Sequence, residues 1–175
     1  MTNSADKIAG LANSLRNQIR NLGSNSNTEF SLTELLQDLY VIMHSEFIKN
    51  NIKLDINSTQ DIWICGNTSK LAQVITNIVH NSIDAYKGHG GIIDINVYRD
   101  ENENSIISIE DWAGGIDEEI RPYIFKKLIK VNDMPTTGVG LYLAYSVIKG
   151  SFGGDIKFDT KTGRGTKFYI ILPNR

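Results

Sequence analysis

The sequence predicts an α/β protein: a two-layer sandwich whose mixed, largely antiparallel sheet is covered by helices on one face. Three observations predict it. Apolar residues alternate in runs such as Ile52-x-Leu54-x-Ile56 and Ile93-x-Ile95-x-Val97, the period of half-buried strands. Longer runs with apolar residues three and four apart lie between them, the period of amphipathic helices. The last residues, 153–159 and 166–172, alternate about a turn at Thr162-Gly163 and read as a closing hairpin. Strands in antiparallel pairs with helices between them favour this architecture over a doubly wound parallel sheet.

Residues 4–22 read as a helix, with Ile8, Leu11, Leu15, Ile19 and Leu22 on one stripe, Ser4 as N-cap and Gly23 as stop. An isolated helix of this length is marginal in water, so the stripe needs a partner and permits a homodimer. Residues 1–24 therefore separate as a helix and linker from a domain over 25–175. Glu29-Phe30 is a short extended piece. Residues 31–50 form a helix carrying Leu32, Leu35, Leu36, Leu39, Ile42, Met43 and Phe47, opened by a capping box of Ser31 and Glu34. Strands follow over 52–57 and 61–65, a helix over 67–86, and strands over 91–99 and 105–111. A short helix and basic loop occupy 117–130, and a helix occupies 139–150.

Composition bounds the function. The 175 residues are 41% hydrophobic and 22% charged, as in a globular protein. A net charge of −2 implies no broad basic surface for nucleic acid. Cys65 is the single cysteine, so no internal disulfide forms, which suits a reducing cytoplasm. No apolar run approaches the roughly 18 residues that span a bilayer. The N-terminus lacks the pattern of a signal peptide, so any membrane anchor is expected elsewhere in a longer protein.

Four short boxes carry the chemistry. On the 67–86 helix, Lys70, Gln73, Asn77, Asn81 and Asp84 share one narrow wedge at about 100° per residue, opposite Leu71, Val74, Ile75, Ile78 and Val79. A solvated polar face gives the same pattern, although two asparagines inside a helix sit poorly with helix propensity. Asp111-Trp112-Ala113-Gly114-Gly115-Ile116 ends a strand, where a simple turn would also place an Asp. Gly138-Val139-Gly140-Leu141 opens a helix, where backbone amides and the helix dipole favour an anion. Gly163-Arg164-Gly165-Thr166-Lys167-Phe168 leads into the last strand. Each box has an ordinary structural reading; their order and placement together do not.

Over about residues 28–173 the set resembles the ATP-binding catalytic domain of sensor histidine kinases, which has the Bergerat fold. The resemblance implies an ATP site formed by Asn77, Asn81, Asp84, Asp111, Ala113, Gly115, Ile116, Gly138, Val139, Gly140, Leu141 and Thr166. Asn81 is implied as the Mg²⁺ ligand through its side-chain oxygen, and Asn77 as a phosphate or ribose contact. Asp84 lies where many members carry Lys or Arg, and implies action through Mg²⁺ or water. Asp111 is implied as acceptor of the adenine amine, Leu141 as a residue turned back into the core, and Thr166 as a phosphate contact. Related gyrase, Hsp90 and MutL ATPases place a Glu at position 77 to activate water; Asn implies slow hydrolysis and phosphoryl transfer.

Two departures stand out. Ala113 replaces a usual Gly and requires a negative φ. The lid segment keeps Phe125 but has aliphatic residues for the usual second Phe, with Lys126, Lys127 and Lys130 making it basic. No histidine sits in an acceptor motif: His44 reads as a half-exposed surface residue, His80 as a packing or capping residue beside Asn81, and His89 as a loop residue. The 4–22 helix resembles the second helix of a dimerisation domain. The resemblance thus implies a histidine outside this chain as acceptor, with a response regulator as indirect partner. An anti-sigma-type serine kinase of the same fold and a non-catalytic binding module remain as alternatives.

Overall fold

The computed structural model describes residues 27–126 and 139–174. The expected 4–22 helix and the whole 1–24 unit lie outside the described residues, as do Gly138, Lys127 and Lys130.

The chain runs β1 (Thr28–Ser31), α1 (Leu32–Lys49), β2 (Ile52–Ser58), β3 (Trp63–Gly66), α2 (Thr68–Ala85), β4 (Gly91–Arg99), β5 (Ser105–Asp111), α3 (Val139–Val147), β6 (Asp155–Lys161) and β7 (Gly165–Leu172). The main sheet has the order β2-β4-β5-β7-β6, and β1 pairs with β3 in a separate ribbon. Consecutive strands β2 and β3 thus enter different sheets. β2 and β4 are parallel, which makes the sheet mixed, as expected. Their connection passes through β3 and α2, a crossover that returns the chain in the same direction. The other neighbours in the main sheet are antiparallel.

Local chemistry explains the helix starts. Ser31 caps α1, its Oγ accepting from the Glu34 amide at 3.1 Å. The same hydroxyl donates to the Asp61 carboxylate at 2.5 Å, and Trp63 Nε1 donates to that carboxylate at 2.9 Å. The cap is therefore braced by the loop that enters β3. Asn67 caps α2, accepting from the Lys70 amide at 2.9 Å. Leu32, Leu35, Leu36, Leu39, Met43 and Phe47 of α1 are buried as expected. Ile42 is not: it falls outside the arc those residues span and is 73% exposed. Of the short helix and loop expected over 117–130, the described residues, 117–126, contain a 3₁₀ turn at Arg121–Tyr123. The last expected helix is α through Val147 and continues as a π turn over Ile148–Phe152.

One face of the main sheet packs under the helices. The register aligns Ile95, Ile109, Phe168 and Phe158 in one row and Val97, Ile107, Ile170 and Ile156 in another. Side chains two apart on a strand share a face. The next row on that face is Ile93, Asp111, Thr166 and Thr160. The core thus gives way to polar residues at the C-terminal end of β5, beneath α2.

Candidate nucleotide site

The strand alternation that buries Ile107 and Ile109 also buries Asp111, which is 4% exposed. A buried carboxylate needs partners. Asp111 Oδ1 accepts from the Ala113 amide at 3.1 Å and the Thr166 amide at 3.3 Å, while Oδ2 accepts from Ser82 Oγ at 3.1 Å. Burial raises the Asp111 pKa above its ordinary value, and the hydrogen bonds from Ala113, Ser82 and Thr166 oppose that rise. A carboxylate has about four acceptor positions. Three donors leave it able to take one more from a ligand.

Two glycines let the backbone close around this carboxylate. Gly165 has φ +145°, and a Cβ there would collide with the Asp111 carbonyl oxygen. Gly115 has φ +74°, and a Cβ would collide with the Lys161 carbonyl. The loops interlock further: the Gly163 amide donates to the Gly114 carbonyl at 2.8 Å, and the Ile116 amide donates to Thr160 Oγ1 at 2.9 Å. Ala113 is not among the residues with positive φ, so its methyl group costs nothing there.

Thr166 lies at this end of the site. It is buried, its amide is on Asp111, and its Oγ1 is 3.0 Å from Thr160 Oγ1. These bonds join it to the Asp111 cluster. Trp112 points the other way and is 49% exposed, its amide donating to the Tyr86 hydroxyl at 2.9 Å.

Lys70 and Asn77 of the polar wedge of α2 face the π turn and α3, so this part of the wedge is not a solvated face. Lys70 Nζ donates to Ser151 Oγ at 3.2 Å. Gln73 Nε2 donates to Asn77 Oδ1 at 3.0 Å, and Asn77 Nδ2 donates to the Gly140 carbonyl at 3.2 Å. Asn77 is 7% exposed. Gly140 sits in the first turn of α3, where an added Cβ would lie 3.6 Å from Asn77 Cγ. Val139 and Leu141 are half-buried, with Leu141 packed on the core.

Asn81 is half-buried one turn further along α2. Asp84 is exposed as a residue, yet its carboxyl is sheltered enough that burial raises its pKa, against the nearby His80. His80 Nε2 is 2.9 Å from Glu46 Oε2 of α1, so it links two helices. Phe125, where the lid begins, stacks on Tyr145 at 5.2 Å between ring centres. Lys126 lies 5.2 Å over the Tyr123 ring.

Ser82 was not read from the sequence as a site residue. A signal for it exists: it falls on the stripe of Ile75, Ile78 and Val79, at i+7, i+4 and i+3. A hydroxyl on an apolar stripe needs a buried partner, and here the partner is Asp111.

Residues 66–175 match the family described as histidine kinase-, DNA gyrase B-, and HSP90-like ATPase. Sporulation kinase C of Bacillus subtilis (strain 168) is 28% identical over 144 residues, which cover 81% of this chain and 33% of that protein. Sensor kinase CckA of Brucella abortus (strain 2308) is 30% identical over 158 residues, covering 81% of this chain and 16% of that protein. The chain thus spans a third or less of these curated relatives. The solved catalytic domain of histidine kinase ThkA superposes with a TM-score of 0.74 at 25% identity, covering 85% of this chain and 95% of that one. The chain belongs to the histidine kinase-, DNA gyrase B- and HSP90-like ATPase family, as an ATP-binding domain of the sensor histidine kinase type.

Proposed function

We propose that this domain binds Mg-ATP and presents its γ-phosphoryl group to a histidine outside the chain, as the catalytic part of a sensor histidine kinase acting in the cytoplasm. The observation that carries the proposal is the buried Asp111 carboxylate with room for one more donor, which suits the exocyclic amine of adenine. Ala113, Gly115, Ile116 and Thr166 would frame the base, a reading supported for Thr166 by its bond to Asp111. The phosphates would run toward the first turn of α3, where Val139, Gly140 and Leu141 offer backbone amides, with Gly138 preceding them in the sequence.

The donor chemistry of α2 fits Mg²⁺. The ion takes oxygen ligands and is usually held by one or two protein groups, with phosphate and water filling the rest. Among the described residues no cluster of three His, Cys, Asp or Glu is placed to hold a metal. The half-buried Asn81 carboxamide oxygen is the proposed ligand, with Asp84 one turn away acting through water. When bound, the ion neutralises phosphate charge. Asn77, whose amide is engaged with Gln73 and Gly140, holds α3 against α2 and supplies no base for water. That arrangement favours transfer over hydrolysis.

The acceptor is proposed to be the histidine of a dimerisation domain, to which residues 4–22 contribute the second helix and through which the protein forms a homodimer. A response regulator would then take the phosphoryl group. The ThkA structure in complex with the response regulator TrrA superposes with a TM-score of 0.79 at 22% identity, which shows the shared fold. The test is Asn81→Ala with and without Mg²⁺. Mg²⁺-dependence of ADP binding should disappear while adenosine affinity stays within about twofold. Equal Mg²⁺-dependence in variant and parent would contradict the assignment.

A further inference from the structure

Ser82 lies on the buried side of α2, fully enclosed, and its hydroxyl is the one side-chain donor described on Asp111. The two carboxylate oxygens differ in their support. Oδ1 takes two backbone amides, fixed by the strand-end geometry of β5 and β7. Oδ2 takes Ser82 alone at 3.1 Å. We propose that Ser82 is a positioning residue for base selection: its hydroxyl holds Asp111 as an acceptor-only carboxylate, so that the site takes adenine and rejects 6-oxopurines. The proposal rests on the reading of Asp111 as the adenine contact.

The chemistry follows from donors and acceptors. An ionised carboxylate can only accept. It meets the 6-amino group of adenine, a donor, and repels the 6-oxo group of hypoxanthine or guanine, an acceptor. A protonated Asp111 would carry a donor of its own and lose that discrimination. Burial pushes Asp111 toward the protonated form, and hydrogen bonds to its charged form push back. The backbone amides are fixed by the fold. Ser82 is the donor that sequence can change.

The surroundings leave few other groups to play this part. From β4 the opposing residue is Ile93, and from β7 it is Thr166. The charged neighbour is Glu110, which faces the other side of the sheet and pairs with Lys167 at 2.9 Å. Its charge opposes ionisation of Asp111, so it cannot replace Ser82.

The experiment measures ADP and inosine diphosphate affinity in EDTA across pH for the parent, Ser82→Ala, Ser82→Thr and Asp111→Asn. Omitting metal keeps Asn81 out of the readout. Ser82→Ala should weaken ADP on the order of tenfold at neutral pH, shrink the ratio of ADP to inosine diphosphate affinity, and move the acid limb of ADP binding to higher pH. Ser82→Thr, which keeps the hydroxyl, should restore all three, whereas a purely structural role would leave the base ratio and the limb in place in Ser82→Ala. Ser82→Cys, close in volume and a poor donor, serves if the alanine variant fails to fold. Unchanged ratio and acid limb in Ser82→Ala, with ADP binding lost in Asp111→Asn, would overturn the role of Ser82 alone. ADP binding retained in Asp111→Asn would overturn the adenine reading and this inference with it.

Discussion

The two ends of the proposed nucleotide site are built differently. At the base end, Asp111, Ser82 and Thr166 are buried and bonded to one another, and Gly115 and Gly165 hold backbones in contact. At the phosphate end, Asn81 is half-buried, Asp84 is exposed, and Asn77 of α2 donates to the Gly140 carbonyl of α3. The base end is an extension of the hydrophobic sheet, one register row beyond Ile109 and Phe168. The phosphate end sits between helices. On the proposed reading, the buried base end would select the ligand and the more exposed phosphate end would admit charge and metal with it.

The comparison breaks most severely at a glycine. Gly165→Ala should cost about 2–4 kcal/mol in denaturant unfolding, because its Cβ meets the Asp111 carbonyl and no side-chain motion relieves it. Gly140→Ala, at the phosphate end, should change stability by less than about 1 kcal/mol, because its Cβ would reach Asn77 at an ordinary contact distance of 3.6 Å. Similar costs at both positions would erase the distinction.

Asp111→Asn separates stability from binding. The asparagine oxygen can accept the Ala113 and Thr166 amides while its nitrogen donates to Ser82 Oγ, so the fold keeps all three bonds. ADP affinity should fall on the order of 50-fold, the loss of a charge-assisted bond. Melting temperature should not fall. The pH dependence has a definite sign. Burial raises the Asp111 pKa in the folded state, so its contribution to stability is complete below the unfolded carboxylate pKa and declines as pH rises through the folded value. The stability of Asp111→Asn relative to the parent should therefore grow from acid to neutral pH. A variant that melts well below the parent at neutral pH would contradict this.

The smallest effect is expected at the bridge between α1 and α2. His80 and Glu46 are both more than a third exposed, and solvent screens the pair. His80→Gln should cost at most about 0.5 kcal/mol and leave adenosine affinity unchanged. A larger loss would mean that this surface pair supports the site.

Much of this arrangement was legible in the sequence. The period of Ile93, Ile95 and Val97 marked the inward face of a strand, and Ser31 with Glu34 marked a helix start, because both signals are local. Asp111, Gly115 and Gly165 stand out in the sequence through the resemblance of their boxes, since a strand end or a turn alone would also place an Asp or a Gly there. What local signals do not carry is pairing. Nothing in Thr28–Ser31 announces β3 as its partner, and the parallel match of β2 to β4 depends on a crossover more than thirty residues long. The phosphate contact expected of Thr166 comes from the resemblance of its box alone, and the pairing that sets Thr166 opposite Asp111 depends on the β5–β7 register, which no local signal carries. Ser82 lies among isoleucines, where a hydroxyl gains its meaning from Asp111 across from it, a contact between distant parts of the sequence.

The measurement that tests the central claim most directly is calorimetric titration of adenosine, without metal, into the parent and Asp111→Asn. A preformed base end predicts adenosine binding by the parent, unaffected by added Mg²⁺, and its loss in the variant. Equal adenosine affinity in the two proteins would contradict the account.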